Sequence, residues 1–295
     1  MSTPTLSAAQ LQAFRDRTFR RRSPWRVRTR DEAVAFVRER GFVFFWPIRG
    51  VLLPSLWVAV AGERPVPREH DDPGHITWQW KDELLGSDAW FYAKLLRGKA
   101  TLVAHDLLPA FYALSDATDD PADDVRALYM DGLLSREARA LVEYIIEHGA
   151  THTIALRAAL GKRAAGSAFD RALTEAQRRM FIMPIAIAEA GAWRYAFVYD
   201  LVVRHLPDLP TWARHITRRE ARTRLLARYL ESVGAAQERD VRKVFGWTQK
   251  ETTSALSALV AQKRALFPVQ VEGADAPHIA LPSLLEPSSP QAGRA

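Results

Sequence analysis

The second half of the chain repeats itself, and this repeat restricts the possible fold more than any other feature. Residues 137–161 align with residues 223–246, and in each copy a helical pattern ends at a glycine, Gly149 or Gly234. A second glycine, Gly161 or Gly246, follows twelve residues later. Each copy then continues into a third helical pattern and a proline-containing strand. The two copies therefore predict the same supersecondary unit.

Three helices followed by a two-stranded ribbon are typical of a winged helix-turn-helix. We expect the third helices at residues 168–179 and 248–263. The wings are predicted to pair residues 180–188 with 193–199, and 266–271 with 278–281. The predicted class is mainly α with small β wings, an α+β fold of tandem winged-helix domains. Two helical hairpins without a DNA function remain an alternative.

The first half of the chain contains weaker helix signals. Thr29 as an N-cap, Glu32 at the capping-box position and Gly41 as a terminator predict a helix between them. Residues 78–85 and 88–97 predict two more helices, the second with an apolar stripe of Phe91, Tyr92, Leu95 and Leu96.

The domain boundaries follow from composition. An acidic segment, residues 115–124, contains Pro121 and is typical of a linker. We expect an Arg-rich arm (1–28), an N-terminal winged-helix-like domain (29–120), a second winged-helix domain (121–208), a third (209–281) and a disordered tail (282–295).

The charge balance favours an acidic partner. The chain has 41 Lys and Arg against 34 Asp and Glu, a net charge of +7, which favours nucleic acid. A GC-rich genome would also produce an Arg-rich composition. The absence of cysteine excludes disulfides, thiolate metal sites and thiol nucleophiles, and the eight His residues show no metal-ligand spacing. We expect no metal, no cofactor, no membrane partner, and a cytoplasmic, nucleoid-associated monomer.

Several basic and polar residues are candidates for phosphate contact. Arg214, Arg218 and Arg222 recur every four residues, as on one helical face. Like charges at this spacing are unfavourable without an anion, although a solvated basic face is the alternative. The other candidates lie in the arm and on the third helices: Arg20, Arg21, Arg22, Arg26, Arg28, Arg171, Arg178, Thr248, Gln249 and Lys250.

Aromatic and charged residues also cluster in the first hundred positions. Such residues together can stack on and clamp an exposed base, and we expect a cleft formed by Trp46, Arg49, Gln79, Trp80, Lys81 and Asp82. For Trp46 itself core packing is the favoured interpretation, and a place in the cleft is the alternative. The chain has no nucleophile elbow, phosphate-cradling glycine loop or dinucleotide fingerprint. Residue spacing alone therefore does not indicate an enzyme.

The last repeat, within residues 220–259, reads "EARTRLLARYLESVGAAQERDVRKVFG" before its third helix. This stretch resembles the AlkZ-like (YcaQ) winged-helix DNA glycosylases, which repair alkylated and crosslinked DNA. Residues 39–48 and 88–109 show weaker similarity to the same family. The resemblance implies a winged-helix fold and double-stranded DNA, including damaged DNA, as the partner.

The resemblance does not extend to the family's catalytic motif. The family carries a Gln-x-Gln or Gln-x-Asp motif, whose polar side chains position water, and Phe44 and Trp46 occupy the corresponding positions. Neither side chain can orient or activate water. Three functions stay open: a DNA-binding relative without the catalytic motif, an active monofunctional glycosylase with a site relocated to the predicted cleft, and a winged-helix transcription regulator.

Overall fold

The computed structural model describes residues 3–67, 69, 71–161, 166–192 and 194–285. Within these residues helices predominate, and the strands form three small sheets. The predicted α+β class is confirmed. None of the helices in the described ranges has the length and hydropathy required to cross a membrane.

The chain begins with strand β1 (Thr5–Leu6) and helix α1 (Ala8–Thr18), which dock against the far end of the sequence. β1 pairs in parallel with Gln270 and Val271. The Arg15 guanidinium donates hydrogen bonds to the carbonyls of Val233 (3.0 Å) and Ala235 (2.7 Å). Part of the Arg-rich arm is therefore an ordered element of the fold.

The first unit (residues 30–112) begins with a helix whose predicted limits are confirmed. The Thr29 hydroxyl accepts a hydrogen bond from the Glu32 amide (3.2 Å), and Gly41 ends the helix with φ of 80°. The elements are α2 (Arg30–Arg40), β2 (Phe42–Phe44), α3 (Leu56–Ala61), α4 (Ile76–Glu83), β3 (Phe91–Ala93), β4 (Thr101–Val103) and α5 (Leu108–Tyr112).

The helix predicted over residues 88–97 is wrong, because Phe91–Ala93 is a strand that pairs antiparallel with β4. Arg97 and Gly98 have φ of 57° and 64°, which makes a turn and not a helical stripe. The hairpin buries Phe91 and Ala93 on one face of the sheet. Burial and strand pairing therefore outweigh the helical spacing of the apolar residues.

The second unit (residues 121–205) begins where the linker was predicted. Pro121 is the first residue of a helix, and the Asp120 carboxylate caps it by accepting from the amides of Ala122 and Asp123. The elements are α6 (Pro121–Met130), α7 (Arg136–His148), β5 (Thr151–His152), α8 (Thr153–Leu160), α9 (Ser167–Arg178), β6 (Ile182–Ala188), β7 (Ala196–Leu201) and α10 (Val202–His205).

The third unit (residues 209–280) holds the last repeat. Its elements are α11 (Leu209–Ala213), α12 (Arg218–Val233), β8 (Ala235–Ala236), α13 (Glu238–Phe245), α14 (Gln249–Ala261), β9 (Leu266–Val271) and β10 (His278–Ala280). The predicted tail is wrong at its start, because Pro282–Leu284 forms a 3-10 turn that buries Leu284. Residues 286–295 lie outside the described part of the chain.

One topology recurs in the three units. The short strand that follows α2, α7 or α12 pairs with the last strand of the wing in its unit, which gives the orders β2-β4-β3, β5-β7-β6 and β8-β10-β9. The predicted wing strands are confirmed in both repeat copies, with β6 antiparallel to β7 and β9 antiparallel to β10. Helix, strand, helix, helix and wing is the order expected of a winged helix-turn-helix.

The apolar cores show how the units are joined. The first and third units share one core, in which the Phe42 ring lies 5.6 Å from Phe111 and 5.7 Å from Phe245. The second unit has a core of its own, including Ile145 and Phe169. Met180, Met183 and Val202 of the second unit also join the shared core, so the second unit packs against the other two units. An open groove runs along part of its junction with the third unit.

Candidate nucleic-acid interface

A groove runs between α9 of the second unit and α12 and α14 of the third. Its wider part, about 720 Å³, lies along α9. Its narrower part, about 220 Å³, lies between α9 and α12. We call this surface the interunit groove. Its lining includes Ser115, Asp116, Arg171, Thr174, Arg178, Arg218, Arg222, Trp247 and Glu251.

Arginines from two helices converge on the interunit groove. Arg171 and Arg178 lie on the exposed face of α9, and Arg218 lies on α12 with 54% of its side chain exposed. Among the described residues Arg178 has no ion pair or hydrogen bond. Its guanidinium is therefore free to meet a phosphate without breaking an internal contact.

Acidic residues neutralise part of this charge. Asp116 lies 2.5 Å from the Arg179 guanidinium and 3.9 Å from that of Arg218. Arg222 is more buried and forms an ion pair with Glu251. Burial alone would raise the pKa of Glu251, but the hydrogen bonds from Thr248 and the charge of Arg222 outweigh it and lower the pKa.

The predicted stripe of three arginines on one helical face is wrong for Arg214. The chain leaves the helical path after Ala213, and α12 starts only at Arg218, behind a capping box of Thr217 and Glu220. Arg214 instead lies 3.6 Å from Asp119. Arg218 and Arg222 alone keep the predicted spacing.

The start of α14 is largely committed to its own structure. Thr248 is the N-cap and forms a capping box with Glu251. Gln249 accepts from Arg242 (2.6 Å) and donates to Glu238. Lys250 is exposed and lies with Arg219 and Arg222 in a smaller concavity. Of the three predicted contacts on this helix, Lys250 alone presents an uncommitted polar group.

Most of the arm arginines have carboxylate or backbone partners within the chain. Arg20 forms a 2.7 Å ion pair with Glu39, and Arg21 and Arg22 lie 3.7 and 3.2 Å from Asp16. Arg26 donates to the backbone carbonyl of Arg21 (3.4 Å), and Arg28 is exposed. The described lining of the interunit groove includes none of the five predicted arm residues.

The predicted cleft around Trp46 is not an open cleft. Lys81 and Trp80 are buried, while Arg49 is exposed and Gln79 is exposed with its amide donating to Glu83 (2.7 Å). Trp46 packs against the rings of Phe45, Trp57, His75 and Trp78, at centroid distances of 4.6 to 6.0 Å. The structure brings Lys81 and Asp82 together and places Trp46 and Trp80 in one apolar core, while Arg49 and Gln79 are exposed.

Lys81 lies in a closed cage between the first and second units. Its ammonium donates to the Tyr195 hydroxyl (2.9 Å) and lies 2.5 Å from an Asp82 oxygen. The cage rings, with centroids 4.5 to 5.8 Å from Nζ, are Phe45, Trp78, Tyr92, Tyr195 and Phe197. We call this set, with Asp82, the Lys81 cage.

The electrostatics of the Lys81 cage follow from its burial. Lys81 is 1% exposed, and this burial lowers its pKa against the opposing effect of Asp82. Burial also raises the pKa of Tyr195, which donates its hydroxyl proton to Asp82 (2.9 Å). Since Tyr195 and Phe197 belong to the second unit, the cage fastens α4 against the second wing.

A family model described as "AlkZ related" matches residues 27–246. The chain belongs to the AlkZ-related family. A solved DNA glycosylase, AlkZ of Streptomyces sahachiroi, is similar in fold, with a TM-score of 0.57 and 16% identity over 95% of this chain and 71% of that chain. No curated protein sequence matches.

Phe44 and Trp46 occupy the positions that the resemblance assigns to the polar motif of the family. Phe44 is fully buried in the core shared by the first and third units. Trp46 is partly buried among aromatic rings. In this AlkZ-related chain both side chains pack against apolar and aromatic neighbours, and neither carries a carboxylate or amide oxygen that could accept a hydrogen bond from water.

Proposed function

We propose that this AlkZ-related protein binds double-stranded DNA through the interunit groove and acts without the family's catalytic motif. The observation that supports the proposal is the convergence of Arg178 and Arg218 on one open surface from two separate units. Basic side chains from two directions suit a polyanion that passes between them.

In this proposal the second and third units contact DNA, and the first unit positions them. In a winged helix that binds DNA, the third helix faces the groove of the duplex. The third helices α9 and α14 contribute residues to the lining of the interunit groove. The third helix of the first unit, α4, buries Trp80 and Lys81. We infer that the first unit positions the other two, which contact DNA.

Glu251 and Asp116, the two acidic residues nearest Arg218 and Arg222 in the interunit groove, are already engaged by partners within the chain. One oxygen of Glu251 faces Arg222, and the other accepts from the amide (2.9 Å) and hydroxyl (3.0 Å) of Thr248. Asp116 is paired with Arg179. Because these oxygens already have partners, the groove residues favour binding over activation of water.

Fluorescence anisotropy with a labelled duplex at two salt concentrations tests DNA binding. We expect affinity to fall as salt rises, because bound phosphates release counterions, and the Arg178→Ala/Arg218→Ala variant to lose about tenfold in affinity with a salt slope reduced by about 2. The matched control is Arg126→Ala/Arg136→Ala, which removes two exposed arginines from α6 and α7. An equal loss in both variants, or binding that ignores salt, would contradict the proposal.

A single-turnover assay tests the absence of the catalytic step. DNA that contains N7-alkylguanine is mixed with excess protein, and released base is measured against buffer alone. We expect the two rates to be equal, since Phe44 and Trp46 supply no oxygen that could accept a hydrogen bond from the attacking water. Protein-dependent release of base would overturn the non-catalytic part of the proposal and leave DNA binding intact.

A further inference from the structure

Trp247 forms a fixed aromatic surface in the narrower part of the interunit groove. Its ring stacks on Phe245 at a centroid distance of 4.2 Å with an interplanar angle of 11°. Phe245 is held in turn by edge contacts from Phe42 (5.7 Å) and Tyr229 (5.8 Å). Trp247 is only partly buried and lines the cavity. The stack therefore supports one aromatic ring in a defined orientation while leaving part of it accessible.

Cationic groups line the same cavity of about 220 Å³. Arg178 and Arg218 reach it from α9 and α12, and both side chains are exposed. Arg222 is compensated by Glu251, but its Nε is buried and has no hydrogen-bond acceptor among the described residues. A flat ring beside positive charge matches the two parts of a nucleotide, an aromatic base and a phosphate.

Whether the bound base is stacked in the duplex or unstacked follows from the part of the base that contacts Trp247, its face or its edge. A base inside a duplex has both faces covered by its neighbours and offers only its edges to a protein. A base that stacks on a protein ring must expose a face, so it must be unstacked. We propose that this cavity holds one unpaired nucleotide of a DNA duplex, with its base on Trp247 and its phosphates at Arg178 and Arg218. This inference rests on the proposed DNA binding.

Neither Ser115 nor Glu251 in this cavity offers an uncommitted group that could read the edge of a base. The Ser115 hydroxyl donates to the Tyr112 carbonyl (2.8 Å) and accepts from the Ala117 amide (3.3 Å). The Glu251 oxygens are occupied by Arg222 and Thr248. Stacking tolerates any base, because every base has an aromatic face. The expected preference is therefore for the unpaired state, whichever base is unpaired.

The test compares two short labelled duplexes that differ by a single-nucleotide bulge. Wild-type protein should bind the bulged duplex about tenfold more tightly than the fully paired one, the effect of one stacked base. Trp247→Ala should reduce this ratio to about one while leaving affinity for the paired duplex unchanged. Trp247→Phe, which keeps a stacking ring, should retain most of the preference. Thermal melting of both variants checks that they fold.

Trp25→Ala provides the matched control, because Trp25 is a partly exposed tryptophan of the arm and is absent from the described groove lining. It should keep the wild-type ratio. Equal binding of both duplexes by wild-type protein, or an unchanged ratio in Trp247→Ala, would overturn the inference while DNA binding stands. Absence of binding to both duplexes would overturn the proposed function and this inference with it.

Discussion

The Lys81 cage and the interunit groove both place positive charge where two units meet. The charge is buried in the cage and exposed in the groove. In the cage one ammonium is surrounded by five aromatic rings and one carboxylate, and Lys81 is 1% exposed. In the groove the Arg218 side chain is 54% exposed, and Asp116 compensates it only from 3.9 Å. The cage is a closed joint, and the groove is an open surface.

The difference shows which contacts serve folding and which remain for a ligand. A buried cation must find its partners inside the protein, because removing it from water carries a large cost. An exposed cation has water as its alternative partner and can exchange it for a phosphate. Substitutions in the Lys81 cage should therefore change stability, whereas substitutions in the interunit groove should change affinity for DNA.

The largest expected effect is on stability. Lys81→Ala removes the cation that Asp82 faces and leaves a void among the cage rings. We expect the free energy of unfolding to fall by about 3 kcal/mol, at the lower end for a broken buried pair because Asp82 keeps some solvent contact. Urea denaturation measures the change.

Lys99→Ala is the matched control for this experiment, because it removes an exposed lysine that has no ion pair among the described residues. It should change stability by less than about 0.5 kcal/mol. The two variants lose the same charge, so their affinities for DNA should agree. A Lys81→Ala protein as stable as Lys99→Ala, or one with selectively weakened DNA binding, would remove the distinction between cage and groove.

The next effect concerns pH. Burial holds the pKa of Lys81 below its ordinary 10.5, so between the folded-state pKa and 10.5 the unfolded chain binds more protons. Wild-type stability should therefore rise with pH in that window, relative to the stability of Lys81→Met. Urea denaturation of both proteins at several pH values below 10 measures the difference. A difference that stays constant or falls with rising pH would contradict the burial argument.

Local patterns in the sequence predicted the parts of the fold that local forces determine. The glycines after α7 and α12, the N-cap at Thr29 and the wing strands were all identified from short patterns. The strand at Phe91–Ala93 was missed because three residues are too few to show an alternating pattern. Its pairing with β4 and its burial on the sheet decide its structure.

Features that join distant segments were beyond sequence reasoning. Lys81 was selected as a site residue, but its hydrogen-bond partner Tyr195 is 114 positions away. The partners Asp116 and Glu251 were likewise missed, because ion pairs between units leave no local spacing. The Trp247 stack had a weak signal, since Phe245 and Trp247 flank the glycine that ends α13. The location of Phe245 and Trp247 in the interunit groove, which suggests a role in binding, is visible only in the structure.

The smallest expected effect is the change in DNA affinity when Asp116 loses its charge. Asp116 places a negative charge beside Arg179 and Arg218 in the groove, where it competes with phosphate. Asp116→Asn should therefore raise affinity for duplex DNA by about two- to fivefold, the range of an exposed ion pair. Anisotropy titration at low salt measures the gain.

Asp123→Asn separates this local competition from the change in total charge. Asp123 is exposed on α6, pairs with Arg126 and is absent from the described groove lining. Both substitutions add the same net charge, but Asp116→Asn alone releases arginines that face the proposed DNA path. We expect its gain to exceed that of Asp123→Asn and to shrink as salt rises, because screening weakens the competition. Equal gains would mean that the interunit groove responds only to net charge, and the local role of Asp116 would be wrong.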